Sequence, residues 1–304
     1  MMGIICLDKP EGITSSRALC AVRRLLGVKK AGHTGTLDPM ATGVLPIFIG
    51  ASTRFIGALP RRAKEYRAVV RLGVTTDTLD ITGAVLSKQP SHVRREQLEG
   101  ILERFVGNTV QTPPMYSALS VNGVRLYELA RQGVEIERKK RPITVYSLTL
   151  DDFQESEQEF TITVRCSEGT YIRTLADDIG RLLGCGACLT ALRRTYSSGF
   201  DLSCCITLER AQALAEQERL AECLLPPDRA FHGYPELAVA DTQVRRLQNG
   251  APLALDRIGS PADGTYRIYS RQDGRFVGIA AADRIFGELR GKVIVPAEEG
   301  ARKS

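Results

Sequence analysis

Residues 32–46, GHTGTLDPMATGVLP, place three glycines and two prolines within fifteen positions, around a single carboxylate, Asp38, and a single imidazole, His33. Such a stretch reads as a tight loop. Gly32, Gly35 and Gly43 permit sharp turns and close approach of a ligand, and Pro39 fixes the chain directly after the acid. A rigid loop that presents one carboxylate suits nucleophilic or acid–base catalysis. An aspartate that simply caps an Asp-Pro turn is the plainer alternative.

The flanks dictate what the loop connects. GIICLDKPEG reads as a short buried strand stopped at Lys9-Pro10, and TSSRALCAVRRLLG as a helix capped by Ser15 or Ser16 and ended at Gly27. VLPIFIG is a buried strand, STRFIGAL a short capped helix, and KEYRAVVRLG another strand. Further on, VRREQLEGILERFVG is an amphipathic helix through Leu98, Ile101, Leu102 and Phe105, and LYELARQG a shorter one. ITVYSLTLDDF and EFTITVRCSEG alternate as antiparallel strands do. TYIRTLADDIGRLLG returns to helix period, ALRRTYSSGF reads as a strand, and TLERAQALAEQ as a helix capped by Thr207.

The double proline in LLPPDRAFHGYPE suggests a linker. Beyond it, LAVADTQVRRLQNG, GTYRIYS, RFVGIAAAD and KVIVP predict short strands in a small β-rich unit of roughly 65 residues. Two domains are expected, 1–230 and 236–297. Strands mostly outside βαβ alternation make the chain α+β, with a small β-rich appendage.

The 304 residues carry a net charge of +6, concentrated near the loop: residues 1–75 hold twelve Lys and Arg against four Asp and Glu. Such a patch suits a polyanion, although a solvated basic surface explains it equally. No apolar run is long enough to span a membrane, and the N-terminus lacks the apolar core of a signal peptide, so a cytoplasmic protein is expected. The eight cysteines are scattered; Cys185 and Cys188 have CxxC spacing but no partners to complete a zinc site, and read as structural. No nucleotide-binding or metal-ligand motif appears.

Three other stretches could carry chemistry. Tyr66 stands in an apparent strand among Lys64, Glu65 and Arg67; Asp77 and Asp80 lie in the polar loop TTDTLDITG; Tyr171 and Arg173 fall where a strand turns into a helix. Taken singly, each has a structural explanation.

Taken in order, KPEGITSS, AGHTGTLDPMATGVLPIFIG, STRF, KEYRAVVRLGVTTDTLDITG, PPMYSALSVNGVRLYELAR, GTYIRTLADDIG and ALRRTYSSGF resemble the TruB family of bacterial tRNA pseudouridine-55 synthases, over residues 3 to 225. The tail, VRRLQNGAPL through GELRGKVIVP, more loosely resembles a PUA-type RNA-binding module. The resemblance implies a pseudouridine-synthase fold with a mixed, largely antiparallel sheet flanked by helices. It also implies isomerisation of uridine in the T-arm loop of tRNA, with no metal or organic cofactor.

By the same resemblance Asp38 is the essential carboxylate, acting as nucleophile or as the base that opens a glycal route. Arg173 pairs with it and lowers its pKa, offsetting desolvation, and Asp80 orients Arg173. Tyr66 lies on the uracil face and helps to remove the C5 proton, Leu192 is an apolar wall, and Tyr171 stands beside Arg173. His33 inserts into the T-loop. Lys9 and Pro10 pack around the loop, or Lys9 meets phosphate; Arg54 is a basic residue near the pocket. The resemblance further implies a stand-alone, monomeric enzyme without guide RNA, with a tRNA-folding chaperone role as an addition or a rival. Glycoside hydrolysis, which would need a second acid opposite Asp38, is the remoter alternative.

Overall fold

A computed structural model describes residues 1–60, 63–117, 119–121 and 123–296; residue 297, the last of the expected second domain, lies outside these. The chain forms a mixed α+β fold around a ten-stranded sheet. Its main path runs Cys205–Ile206, Met2–Lys9, Thr42–Gly50, Ala187–Ser197, Lys64–Leu72, Glu159–Cys166, Arg141–Gln154 and Gly107–Gln111. Two short strands, Ala31–His33 and Phe200–Asp201, attach beside it. All pairings are antiparallel except Met2–Lys9 with Cys205–Ile206 and Thr42–Gly50 with Ala187–Ser197.

The continuous apolar runs near the N-terminus arise because both sheet faces are covered there. Successive strand residues point to opposite faces. Ile5, Leu7, Leu45, Ile47 and Ile49 meet the helices Ser15–Leu25 and Leu208–Glu216. Ile4, Cys6, Val44 and Phe48 face the other way, onto Phe55, Phe200 and Phe231. The other half of the sheet packs its core against the helices Arg95–Glu103 and Ile172–Leu182, through Leu98, Leu102, Leu175 and Ile179. No helix among the described residues is long and apolar enough to cross a membrane.

Residues Glu236–Ile294 hold a separate five-stranded sheet with its own core around Val244, Ile268, Val277 and Leu289. It includes a helix, Asp241–Gln248, where the sequence predicts only short strands. Gln243 accepts the Ala240 N–H at 2.8 Å and so caps the helix, while Val244 and Leu247 bury its inner face. The presumed linker is packed rather than free. Ile4 and Leu225 exchange backbone hydrogen bonds of 2.8 and 2.7 Å, and Phe231 is buried against Phe55, ring centroids 5.7 Å apart.

Two helix starts also differ. The cap of Ser15–Leu25 is Thr14, whose hydroxyl accepts from Arg17 N; Ser15 is buried and turned toward the glycine loop. Ala51–Ala58 is a 3₁₀ helix without a side-chain cap, because its hydroxyls serve carbonyls instead. Ser52 Oγ donates to Gly3 and Ile49, and Thr53 Oγ1 donates to Gly50.

Candidate active site

The glycine loop leaves the Ala31–His33 strand and returns as Thr42–Gly50. Gly43 has φ +102, and a Cβ there would stand 2.2 Å from the Arg194 carbonyl oxygen, so no other residue fits. Side chains from two neighbouring elements pin the loop. Ser15 Oγ accepts the Leu37 N–H at 2.8 Å and donates to the Leu37 carbonyl at 3.0 Å. Lys9 is wholly buried, its Nζ donating to the carbonyls of Pro10, Ile13 and Pro39 at 2.7, 2.8 and 3.3 Å. The Pro39 carbonyl also accepts from Gly12 N at 2.8 Å. Between these anchors stands Asp38, its side chain 34% exposed.

Arg173, in the first turn of the Ile172–Leu182 helix, meets Asp38 side-on: Nε lies 2.9 Å from Oδ2 and Nη2 donates to Oδ1 at 3.0 Å. Such a fork holds a carboxylate by two parallel bonds and fixes its plane. The remaining guanidinium donors are also engaged. Nη2 reaches the Tyr116 carbonyl at 2.8 Å, while Nη1 reaches the Thr78 carbonyl at 3.0 Å and Asp80 Oδ2 at 3.5 Å. Asp80 is held in turn by Thr78 Oγ1, Thr82 N and Thr82 Oγ1 on its Oδ1. Arg173 and Asp80 are both buried; Asp38 and Arg173 line the pocket, and Asp80 stands behind them.

The pocket is a cleft lined by Asp38, Lys64, Tyr66, Tyr171, Arg173 and Leu192, among others. Tyr66 and Leu192 come from adjacent strands and supply its apolar floor. Tyr171 is held through its backbone: its N–H donates to Gln111 Oε1 at 2.8 Å and its carbonyl accepts from Gln111 Nε2 at 3.0 Å. Burial pushes the Asp38 carboxyl above the usual carboxylate range; Arg173 pulls it back only in part, and Asp80 adds to the rise. The Arg173 pairing expected from the sequence is present, and it opposes the desolvation without cancelling it. Burial also raises the Tyr66 and Tyr171 phenols, the Arg194 guanidinium opposing it at Tyr66.

Comparison with known proteins follows the same architecture. Residues 23–172 match the TruB family pseudouridylate synthase N-terminal domain, 173–232 the tRNA pseudouridylate synthase B C-terminal domain, and 235–294 the C-terminal domain of pseudouridine synthase II TruB. The tRNA pseudouridine synthase B of an Azoarcus species is 45% identical over 300 residues, 98% of this chain and 96% of that one. The Vibrio cholerae protein of the same name is 43% identical over 290 residues, 92% of each. The chain belongs to the TruB family.

Two solved structures share the fold of this TruB-family chain. One is a chain of a Cbf5–Nop10–Gar1 complex, 26% identical with a TM-score of 0.71; it covers 97% of this chain and 84% of its own. The other belongs to an H/ACA RNP bound to a substrate RNA containing 2′-deoxyuridine, 25% identical with a TM-score of 0.70 and the same coverage.

Within the TruB-family site, the structure gathers Asp38, Tyr66, Tyr171, Arg173 and Leu192 around one pocket, with Asp80 behind. His33 lies outside it, in a neighbouring hollow with Ile56, Leu59 and Ser198 that shares Gly35, Lys64 and Glu168 with the first. Its imidazole is disfavoured as a cation, by burial and then by Arg194. Lys9 and Pro10 belong to the loop's anchorage, and burial excludes Lys9 from phosphate. Arg54 is exposed and does not line the Asp38 pocket; it faces a groove with Tyr234, Thr265 and Lys292 of the C-terminal part. Cys185 and Cys188 are buried free thiols.

Sequence reasoning gave Ser15, Lys64 and Arg194 no part in the site. The strand period could have found the last two. Lys64 and Tyr66 are two apart, as are Leu192 and Arg194, so each pair shares the pocket-side face.

Proposed function

We propose that this protein isomerises uridine 55 in the T-arm loop of tRNA to pseudouridine, with Asp38 as the acting carboxylate. The observation that carries the reading is the Arg173 fork. The Asp38 carboxylate is locked in place at a pocket whose floor is a phenol and a leucine. The names of the TruB-family relatives, tRNA pseudouridine synthase B, supply the substrate class.

The chemistry requires the C1′–N1 bond to break and the base to rejoin the sugar through C5. Asp38 serves either by attacking C1′ or by taking the C2′ proton to open a glycal, and both routes need it ionised and close to the ribose. Arg173 favours the ionised form and offsets in part the desolvation that disfavours it. A base in the middle of a folded loop must be flipped out, costing a few kcal/mol. Stacking on Tyr66, typically worth about 1–3 kcal/mol per base, offsets that cost, and Leu192 closes the apolar contact. Tyr66, in its phenolate form, then takes the C5 proton. His33 supports the flipped segment from the neighbouring hollow. The basic N-terminal quarter holds the backbone, and loop shape and a few base edges select the target.

The test is single-turnover conversion of a T-arm RNA hairpin by purified protein without added metal, cofactor or guide RNA, with Asp38→Asn in parallel. Conversion of the T-loop uridine alone, lost by at least about a thousandfold in Asp38→Asn while hairpin affinity holds, is the expected result. Tight binding without conversion by the unaltered protein would instead favour an RNA-folding chaperone. A strict requirement for guide RNA would overturn the stand-alone reading, and release of free uracil would mark hydrolysis.

A further inference from the structure

Arg194 is the largest fully buried side chain of the described residues, and it lies directly behind the pocket. It stands in the Ala187–Ser197 strand with Tyr66 as its register partner in the neighbouring strand. Its Nε donates to the Val44 carbonyl at 2.8 Å and its Nη2 to the Gly35 carbonyl at 3.1 Å; Nη1 has no hydrogen-bond partner. No carboxylate among the described residues pairs with it. A buried charge without a counter-ion is costly. Holding two backbone carbonyls, which a neutral donor could do, does not account for it.

The surroundings show which group gains. Lys9, Lys64 and His33 all feel Arg194 as a like charge that disfavours their protonated forms. Cys166 and Asp38 face the Tyr66 phenol from the adjoining strand and from the loop, and both disfavour its phenolate. Among the described residues, Arg194 is the neighbour whose charge most favours it. Because Arg194 is closed off behind the Gly35 backbone, it cannot touch a nucleotide and acts only through a neighbour.

We propose that Arg194 is a positioning residue for Tyr66, a buried counter-charge that stabilises the phenolate form and so enables removal of the C5 proton. The inference rests on the reading of the protein as a uridine isomerase. Once C5 is bonded to C1′, C5 still carries its hydrogen and the ring has a C6=N1 double bond. The Tyr66 phenolate takes that proton, and the C5–H pair becomes the C5=C6 bond. The C6=N1 pair moves onto N1, which takes a proton from water, and the phenol later returns its own proton to water.

The experiment is single-turnover conversion of a T-arm hairpin whose target uridine carries either hydrogen or deuterium at C5, across a pH series. The variants are Arg194→Met, Arg194→Lys, Tyr66→Phe and Arg194→Met/Tyr66→Phe. Arg194→Met is expected to slow conversion about tenfold or more, to bring out a deuterium effect of about twofold or more, and to move the rise of rate with pH upward. In the Tyr66→Phe background the same change adds less than about twofold, as coupled sites require. Arg194→Lys keeps the charge and keeps the pH profile of the unaltered protein. Equal losses in both backgrounds, no deuterium effect, or a Lys variant with the profile of Met would each overturn the proposal. Should Arg194→Met fail to fold, the pH profile of Arg194→Lys alone decides: retention supports the role and an upward shift refutes it. If the unaltered protein makes no pseudouridine, the functional reading itself has failed, an outcome distinct from any of these.

Discussion

At the scale of the residue, the site is organised by one guanidinium. Arg173 spends every N–H on Asp38, Asp80 and two backbone carbonyls. A lysine there would keep the charge but lose the planar fork, leaving the Thr78 and Tyr116 carbonyls unserved. Arg173→Lys is therefore expected to lower single-turnover conversion of the T-arm hairpin by about a hundredfold or more. Hairpin affinity should change little, because Arg173 is buried behind Asp38. Equal losses in affinity and turnover would refute the pairing role. The raised Asp38 pKa has its own consequence. The proposed reaction needs the carboxylate, so conversion should fall as Asp38 gains its proton, and the acid limb should lie above the ordinary aspartate value of about 3.9. A pH–rate profile of the chemical step reads this directly. A limb at or below that value would show that Arg173 outweighs burial after all.

At the scale of the element, a helix and a strand meet at the loop and give it its shape. The helix Ser15–Leu25 is capped by Thr14 rather than by Ser15 or Ser16, and that shift frees Ser15 to bind both polar groups of Leu37. Removing its hydroxyl leaves a buried N–H and carbonyl unserved. Ser15→Ala should cost about 1–3 kcal/mol of stability and slow conversion, since Asp38 follows Leu37 directly. Denaturant unfolding together with single-turnover rates tests this; a stability loss with unchanged turnover would separate the helix from the site. The same element shows how far the sequence was legible. Strands, helix faces and the glycine loop were readable, because periodicity and proline–glycine punctuation are local. The family motifs also pointed to Asp38, Tyr66 and Arg173, which the fold brings to one pocket. The direction of the Ser15 side chain, the burial of Arg194 and the packed state of the 225–231 segment were not, because each depends on residues far away in the chain. A double proline looks the same in a free linker and in a segment that pairs with a strand near the N-terminus. The Asp241–Gln248 helix rests instead on a local cap, Gln243 on the Ala240 N–H, which the strand reading of LAVADTQVRRLQNG passed over.

At the scale of the whole molecule, the C-terminal sheet is joined to the catalytic part through aromatic contacts, Phe55 with Phe276 at 5.4 Å and Phe55 with Phe231 at 5.7 Å between ring centroids. That joint brings Arg54, on the 3₁₀ helix that also supplies Ile56 to the His33 hollow, to one groove with Lys292. Lys292 Nζ donates to Thr265 Oγ1 at 3.0 Å, and neither cation has an acidic partner among the described residues. Two such cations lining one groove, one from the catalytic part and one from the tail, suit a nucleic-acid backbone that crosses between them. Each phosphate neutralised releases counterions and adds about 0.7–0.9 to the slope of log affinity against log salt. Replacing both by glutamine should therefore reduce that slope for a full-length tRNA by about 1.5, with turnover at saturating RNA unchanged because neither residue lines the Asp38 pocket. A hairpin too short to reach the groove should lose at most the share of Arg54. An unchanged slope with full-length tRNA would mean that the RNA leaves the pocket in another direction, over the basic helix Ser15–Leu25, and that the tail is held against the catalytic part for packing alone.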